Sequence, residues 1–173
     1  MIMAVDGIVV RPIEASDVNV LYAINEASTP GVGSVTRERF TKLAFDYADV
    51  VLVAVKDDEP IGFALLMIEG NGYDSQNYNW VMNNYVTFAY VDRIAVSDKA
   101  RGLGVGSLLY EKAADHYAGE RPVLMAEINL EPPNPGSLKF HKRHDFIEVG
   151  ERWEDERSKG VVYVERALPM TKG

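Results

Sequence analysis

Tyr90-Val91-Asp92-Arg93-Ile94-Ala95-Val96-Ser97-Asp98-Lys99-Ala100-Arg101-Gly102-Leu103-Gly104-Val105-Gly106-Ser107-Leu108-Leu109-Tyr110 is the stretch whose reading decides the fold. Its β-branched and aromatic run ends at Val96 and reads as a strand. A short polar turn follows, and an Arg-Gly-x-Gly-x-Gly loop then opens directly into a helical pattern. That pattern places Val105, Leu109, Ala113 and Tyr117 four residues apart. Glycines let the backbone turn tightly and aim successive N–H groups at one point. At a helix N-terminus those groups lack acceptors, and the helix dipole favours negative charge. The loop suits a phosphate or pyrophosphate.

Two familiar phosphate loops do not fit. A P-loop ends in Gly-Lys-Ser/Thr, whereas Gly106 is followed by Ser107 and Leu108. A dinucleotide fingerprint needs G-x-G-x-x-G at the strand end. Here Ser107 takes the place of the third glycine, and Ser97 to Arg101 intervene after the strand. Taken alone, the motif is equally a glycine-rich strand-to-helix turn without a ligand.

Arg101, Gly104 and Gly106, placed after a strand ending V-D-R-I-A-V, resemble the Q/R-x-x-G-x-G/A acyl-CoA signature of the GNAT superfamily of N-acetyltransferases. A second element agrees: Asn134 to Phe146 (NPGSLKFHKRHDF) is similar to the family's late N-x-x-A/S-x-x-F-Y-x-x-x-G-F helix. The resemblance covers nearly the whole chain and looks closest to an uncharacterised bacterial branch of the family. It implies an α/β fold with a mixed sheet of about seven strands, helices on both faces and a splayed central strand pair that admits the pantetheine arm. It further implies acetyl-CoA as cosubstrate, held by the backbone of Ile94, Ala95 and Val96, by the loop Arg101, Gly102, Leu103, Gly104, Val105, Gly106 and Ser107, and by Asn134, Ser137 and His141. His141 stands where the family usually has a tyrosine proton donor, and Asp145 where it usually has glycine.

Length and composition bound the remaining choices. With 173 residues, 47% of them hydrophobic and 25% charged, residues 1–173 are expected to form a single domain. The longest apolar runs, Val50–Val55 and Ile61–Ile68, are of strand length, well below the roughly 20 residues of a membrane span. No basic region followed by an apolar stretch opens the chain, so a cytoplasmic address is expected, with no membrane contact. Zero cysteines exclude disulfides, thiolate metal sites and a cysteine acyl-enzyme, and the three histidines show no ligand spacing, so no metal site is expected. Eighteen basic against 26 acidic residues give a net charge of −8, which disfavours nucleic acid and mildly favours a cationic acceptor such as an amine.

Patterning predicts strands at Ile8–Pro12, Val50–Lys56, Ile61–Ile68, Tyr85–Val96, Val123–Leu130, Phe146–Trp153 and Val161–Leu168. Helices are expected after Ser16 or Asp17, after Thr36, from Gly104 to Tyr117 and from Ser137 to His144. Asn25–Ser34 reads as a loop. Glu69–Asn84, polar and rich in aromatics, receives no element.

Acetyl transfer to an amine needs a base for the ammonium, a donor for the developing oxyanion and an acid for the departing thiolate. Without cysteine, direct attack in a ternary complex is the economical route. Strict alternation would put Tyr90, Asp92, Ile94 and Val96 on one strand face. The place just upstream of the Ile94–Val96 segment that the resemblance sets against the thioester makes Asp92 the first candidate base, with an ion pair to a basic neighbour as its plain alternative. Glu127, on one face with Asn129, is the reserve base. His141 is the candidate acid, since imidazolium donates and imidazole accepts near neutral pH. Asn25, Tyr73, Ser75, Asn77, Tyr78 and Trp80 are candidate acceptor-binding residues, and the aromatic segment is equally a candidate homodimer contact. The expected activity is acetyl transfer to a small-molecule primary amine. The alternatives are a protein lysine or N-terminal acetyltransferase and a non-catalytic acetyl-CoA-binding sensor.

Overall fold

A computed structural model describes residues 7–170. Its strands are β1 (Ile8–Pro12), β2 (Val50–Lys56), β3 (Glu59–Ile68), β4 (Ala89–Val96), β5 (Val123–Glu131), β6 (Ile147–Glu154) and β7 (Lys159–Ala167). The helices are α1 (Val18–Ala27), α2 (Arg37–Lys42, continued by a wider turn to Tyr47), α3 (Gln76–Asn84), α4 (Val105–Tyr117) and α5 (Pro135–Arg143). One mixed sheet runs β1-β2-β3-β4-β5-β7-β6, and its pairings are antiparallel except β4–β5. The seven strands in one mixed sheet and the helices on both faces agree with the expected α/β architecture.

Alternation along the strands builds two cores. Leu52, Ala54, Ala64 and Leu66 pack with Leu109, Ala113 and Tyr117 of α4 on one face. Val51, Val53, Phe63 and Leu65 pack with Leu21 of α1, Phe40 of α2 and Tyr78 of α3 on the other. Thr36 caps α2 as its sequence position predicts, accepting from the Arg39 N–H at 3.1 Å. The β2–β3 hairpin turns on Asp57 and Asp58, both left-handed (φ 51° and 61°), as a two-residue hairpin requires.

Two local readings need correction. The unassigned Glu69–Asn84 segment contains α3, capped by Ser75, whose hydroxyl accepts from the Tyr78 N–H. Four asparagines with poor helix propensity hide it; burial of Tyr78 and Val81 on one helical face holds it. In β4, strict alternation fails. Leu65 pairs with Arg93 but Leu66 with Val91, so Asp92 is an extra residue at a bulge. The bulge resets the faces: Tyr90 and Ala95 join the α1–α3 side, Val91 and Ile94 the α4 side.

Candidate active site

The site begins where the sheet opens. β4 and β5 pair only at Ala89–Leu124 and Tyr90–Met125, then part, leaving the β4 edge beyond Tyr90 without β5 as a ladder partner. The gap continues into a cleft of about 600 Å³ lined by β4 (Val91–Ile94), β5 (Ala126, Glu127, Asn129), Tyr110, His141 and the loop Pro30–Gly33. An extended polar chain such as a pantetheine arm fits such a gap, because the unpaired strand edge supplies donors and acceptors along its length.

The glycine loop lies beside the opening. Gly102 and Gly104 are left-handed (φ 81° and 76°), and Gly104 forms the N-terminal boundary of α4. Leu103 donates its N–H to Ala100 and Leu108 to Gly104, while the four intervening N–H groups, Gly104 to Ser107, meet no acceptor among the described residues. Four converging free donors at a 13-residue helix N-terminus fit a pyrophosphate. Gly106 serves packing instead: a Cβ there would lie 3.2 Å from the Phe140 ring. The Arg101 side chain is exposed and pairs with Asp98 at 2.8 Å.

The three candidate catalytic residues all line the cleft, in unequal states. Asp92 is buried against Arg93, with Oδ2 2.8 Å from Nε. Arg93 also donates to Asn25 Oδ1 at 3.0 Å and to the Gly33 carbonyl at 3.1 Å, tying the bulge to the α1–α2 loop. The carboxylate of Asp92 is thus held in the ion pair that was its plain alternative role.

Glu127 is different. Its Oε1 accepts from the Tyr90 hydroxyl at 2.7 Å and from Asn77 Nδ2 at 3.1 Å, while Oε2, itself buried, has no hydrogen-bond partner among the described residues. Burial raises its pKa to about 8; the negative Asp92 pushes the same way, and the Tyr90 and Asn77 donors oppose. A carboxyl tuned towards neutral pH at the wall of a cleft is suited to proton transfer.

His141 is buried, and burial lowers its pKa. Its Nδ1 lies 2.7 Å from the Ser137 carbonyl, which only accepts, so Nδ1 carries the proton. Nε2 of the neutral ring therefore accepts from the Tyr110 hydroxyl at 2.5 Å. Tyr110, fully buried on α4, was not singled out in the sequence because its spacing also reads as core. Asn134 caps α5 by accepting from the Ser137 N–H, and both residues line the cleft.

Among the acceptor-binding candidates, Tyr73, Ser75 and Asn77 reach the cleft. The other three do not. Asn25 is fully buried and bonded to Arg93 and Glu26. Tyr78 is a core residue donating to the Ile68 carbonyl, and Trp80 stacks on Tyr163, with ring centroids 3.9 Å apart. Arg152 of β6 lines the cleft and had no signal of its own in the sequence.

A family model described as the Acetyltransferase (GNAT) family matches residues 19–146. Among solved structures, the fold is similar to the ribosomal-protein-S18-alanine N-acetyltransferase of Escherichia coli. That pair has a TM-score of 0.71 and 14% identity, with 95% of this chain and 96% of that one covered. It is similar to Arabidopsis thaliana NAA60 in complex with a bisubstrate analogue (TM-score 0.72, 18% identity, 95% and 99% covered). It is also similar to an N-acetyltransferase of Staphylococcus aureus Mu50 (TM-score 0.66, 21% identity, 95% and 99% covered). No curated protein matches the sequence.

Proposed function

The chain belongs to the GNAT acetyltransferase family, and from that premise we propose that it acetylates a small-molecule primary amine by direct attack within a ternary complex, with Glu127 as the base. As a family member it is an N-acetyltransferase that uses acetyl-CoA, which supplies a thioester as acyl donor. The carrying observation is the state of Glu127: a buried carboxyl with a bare oxygen and a pKa near 8, in the wall of the cleft.

The residues divide the work. The free N–H groups of Gly104 to Ser107 and the unpaired edge of β4 hold the donor and orient it. Glu127 takes the proton from the ammonium, a transfer that a base of pKa near 8 makes far less uphill than an ordinary glutamate would. The Tyr110–His141 pair lines the same cleft; the Tyr110 hydroxyl, resting on His141 Nε2, turns its proton to the leaving thiolate, and the phenolate left behind is reprotonated from solvent.

Two ties across the flanks favour a small acceptor. Asn129 Nδ2 donates to the Pro30 carbonyl at 3.3 Å on one side, and Arg152 donates to Gln76 Oε1 at 2.8 Å on the other. The cleft volume of about 600 Å³ is of the size that small-molecule sites occupy. A peptide acceptor would need one of these ties to open. The test is incubation of the pure protein with acetyl-CoA and a panel of small amines and N-terminal peptides, following release of free thiol. Turnover confined to peptides would overturn the small-molecule reading, and acetyl-CoA binding without turnover on either class would favour a sensor.

A further inference from the structure

We propose that Asn77, on the helix hidden in the polar mid-chain segment, is the positioning residue of Glu127, and that Arg152 and Tyr163 act through it by fixing which end of its amide faces the carboxyl. The inference rests on Glu127 as the base.

An asparagine amide presents a donor at one end and an acceptor at the other, so its effect on a carboxylate depends on its flip. Here the flip is forced. Asn77 Oδ1 receives Arg152 Nη2 at 2.8 Å and the Tyr163 hydroxyl at 2.8 Å. Arginine has no acceptor, so only the oxygen of Asn77 can meet it. Arg152 Nε also donates to the Tyr163 oxygen at 3.1 Å, which directs the Tyr163 proton onto Asn77. The amide nitrogen is left facing Glu127 Oε1 at 3.1 Å. Two donors, Asn77 and Tyr90, then converge on one carboxyl oxygen and leave the other bare.

The supports of this network are rigid. Glu127 and Tyr163 are cross-strand partners in the β5–β7 ladder. Trp80, one helical turn beyond Asn77, lies flat on Tyr163 and over Gly150, where a Cβ would come within 2.5 Å of its ring. Helix α3 is therefore clamped to β6 and β7 at the point where Asn77 must be exact. The titratable and charged groups around Glu127 are Tyr90 and Asp92 from β4, Tyr110 from α4 and Tyr163 from β7, with Arg152 and Glu154 arriving from β6. Asn77 is the neutral member of the set, and it stabilises the ionised carboxylate without adding charge to the cleft.

The test compares wild type, Asn77→Leu and Glu127→Gln by two readouts: the pH profile of kcat/KM and the Glu127 carboxyl infrared band, identified by its loss in Glu127→Gln. Removal of one donor to a carboxylate should raise the Glu127 pKa by about one unit. Asn77→Leu should therefore lose roughly tenfold in kcat/KM below the limb, recover towards wild type above it, and bind CoA as wild type does. A loss of packing alone would lower the rate equally at every pH. Arg152→Met combined with Tyr163→Phe, which keeps the ring under Trp80, frees the amide to rotate and should move the band in the same direction. An unmoved carboxyl band in both folded variants overturns the positioning role. A limb near pH 8 that survives in Glu127→Gln beyond the titration of the amine itself overturns the base instead, and the infrared titration still decides the role of Asn77.

Discussion

The glycine loop and the acceptor wall are built on opposite principles. Between Arg101 and Ser107 the functional groups are backbone N–H groups of consecutive residues, and the side chains matter mainly by being absent. Around Glu127 the functional groups are side chains from separate parts of the chain: Asn77 on α3, Tyr90 on β4, Glu127 on β5, Arg152 on β6 and Tyr163 on β7. A backbone site carries its specification within a few adjacent residues. A side-chain site exists only once the sheet order and one bulge are known. The two regions should therefore fail separately, the first through cofactor affinity and the second through turnover.

Gly104→Asp should break the loop with the largest effect. Aspartate tolerates the left-handed backbone (φ 76°) better than most residues, so the fold should survive. Its carboxylate would stand where four free N–H groups await an anion, adding a like charge to the phosphates. Calorimetric titration should show CoA affinity reduced by more than 100-fold. Unchanged affinity in the folded variant would remove the phosphate-loop reading.

Glu127→Gln should break the wall and spare the loop, lowering kcat by about 10²–10⁴ with CoA affinity unchanged. The wild-type rate should rise with pH through about 8 as the carboxyl ionises, and the variant should retain only the titration of the amine itself. Stability should move the other way. The folded pKa lies above the unfolded value, so the contribution of Glu127 is fully present below about pH 4.5 and is lost as pH rises through about 8. The neutral amide copies the protonated form, so thermal melts should find the variant gaining on wild type across that interval.

Tyr110 and His141 test whether the acid is one residue or a pair. Each single change to Phe should cost roughly 10²-fold in kcat, and the double change little more, because each residue acts only through the other. Additive losses would show two independent roles.

The contrast also explains how much was legible in the sequence. The strands were legible as the apolar runs Val50–Val55 and Ile61–Ile68, but both runs are apolar on every residue, so the sorting of their side chains between two cores and the order of the strands were not. The glycines of the loop marked it as a tight strand-to-helix turn, and only the second element, Asn134 to Phe146, pointed it to a cofactor. The faces of β4 were misassigned because period-two alternation was carried through a strand that contains a bulge, and a bulge leaves no mark in residue type. Asn25 and Trp80 look like exposed recognition residues in one dimension. In three, one is locked under Arg93 and the other lies on Tyr163. Arg152 is one arginine among many until β6 pairs beside β7 and brings it to Asn77.

Gly150→Ala probes how far the wall depends on remote packing, and its effect should be the smallest. The added methyl would meet Trp80 Cζ2 at 2.5 Å, and a rigid indole held between α3 and Tyr163 has little room to retreat. Overpacking of this kind costs about 1–3 kcal/mol, which in a chain of this size lowers Tm by several degrees. Relief should come by lifting α3, which carries Trp80 and is not part of the sheet. That motion lengthens the bond from Asn77 to Glu127, so turnover should fall several-fold at neutral pH and less at high pH. The glycine loop heads α4, which packs on the opposite face of the sheet, so CoA affinity should stay at the wild-type value. A parallel loss of CoA affinity would mean that the two regions are mechanically coupled through the sheet.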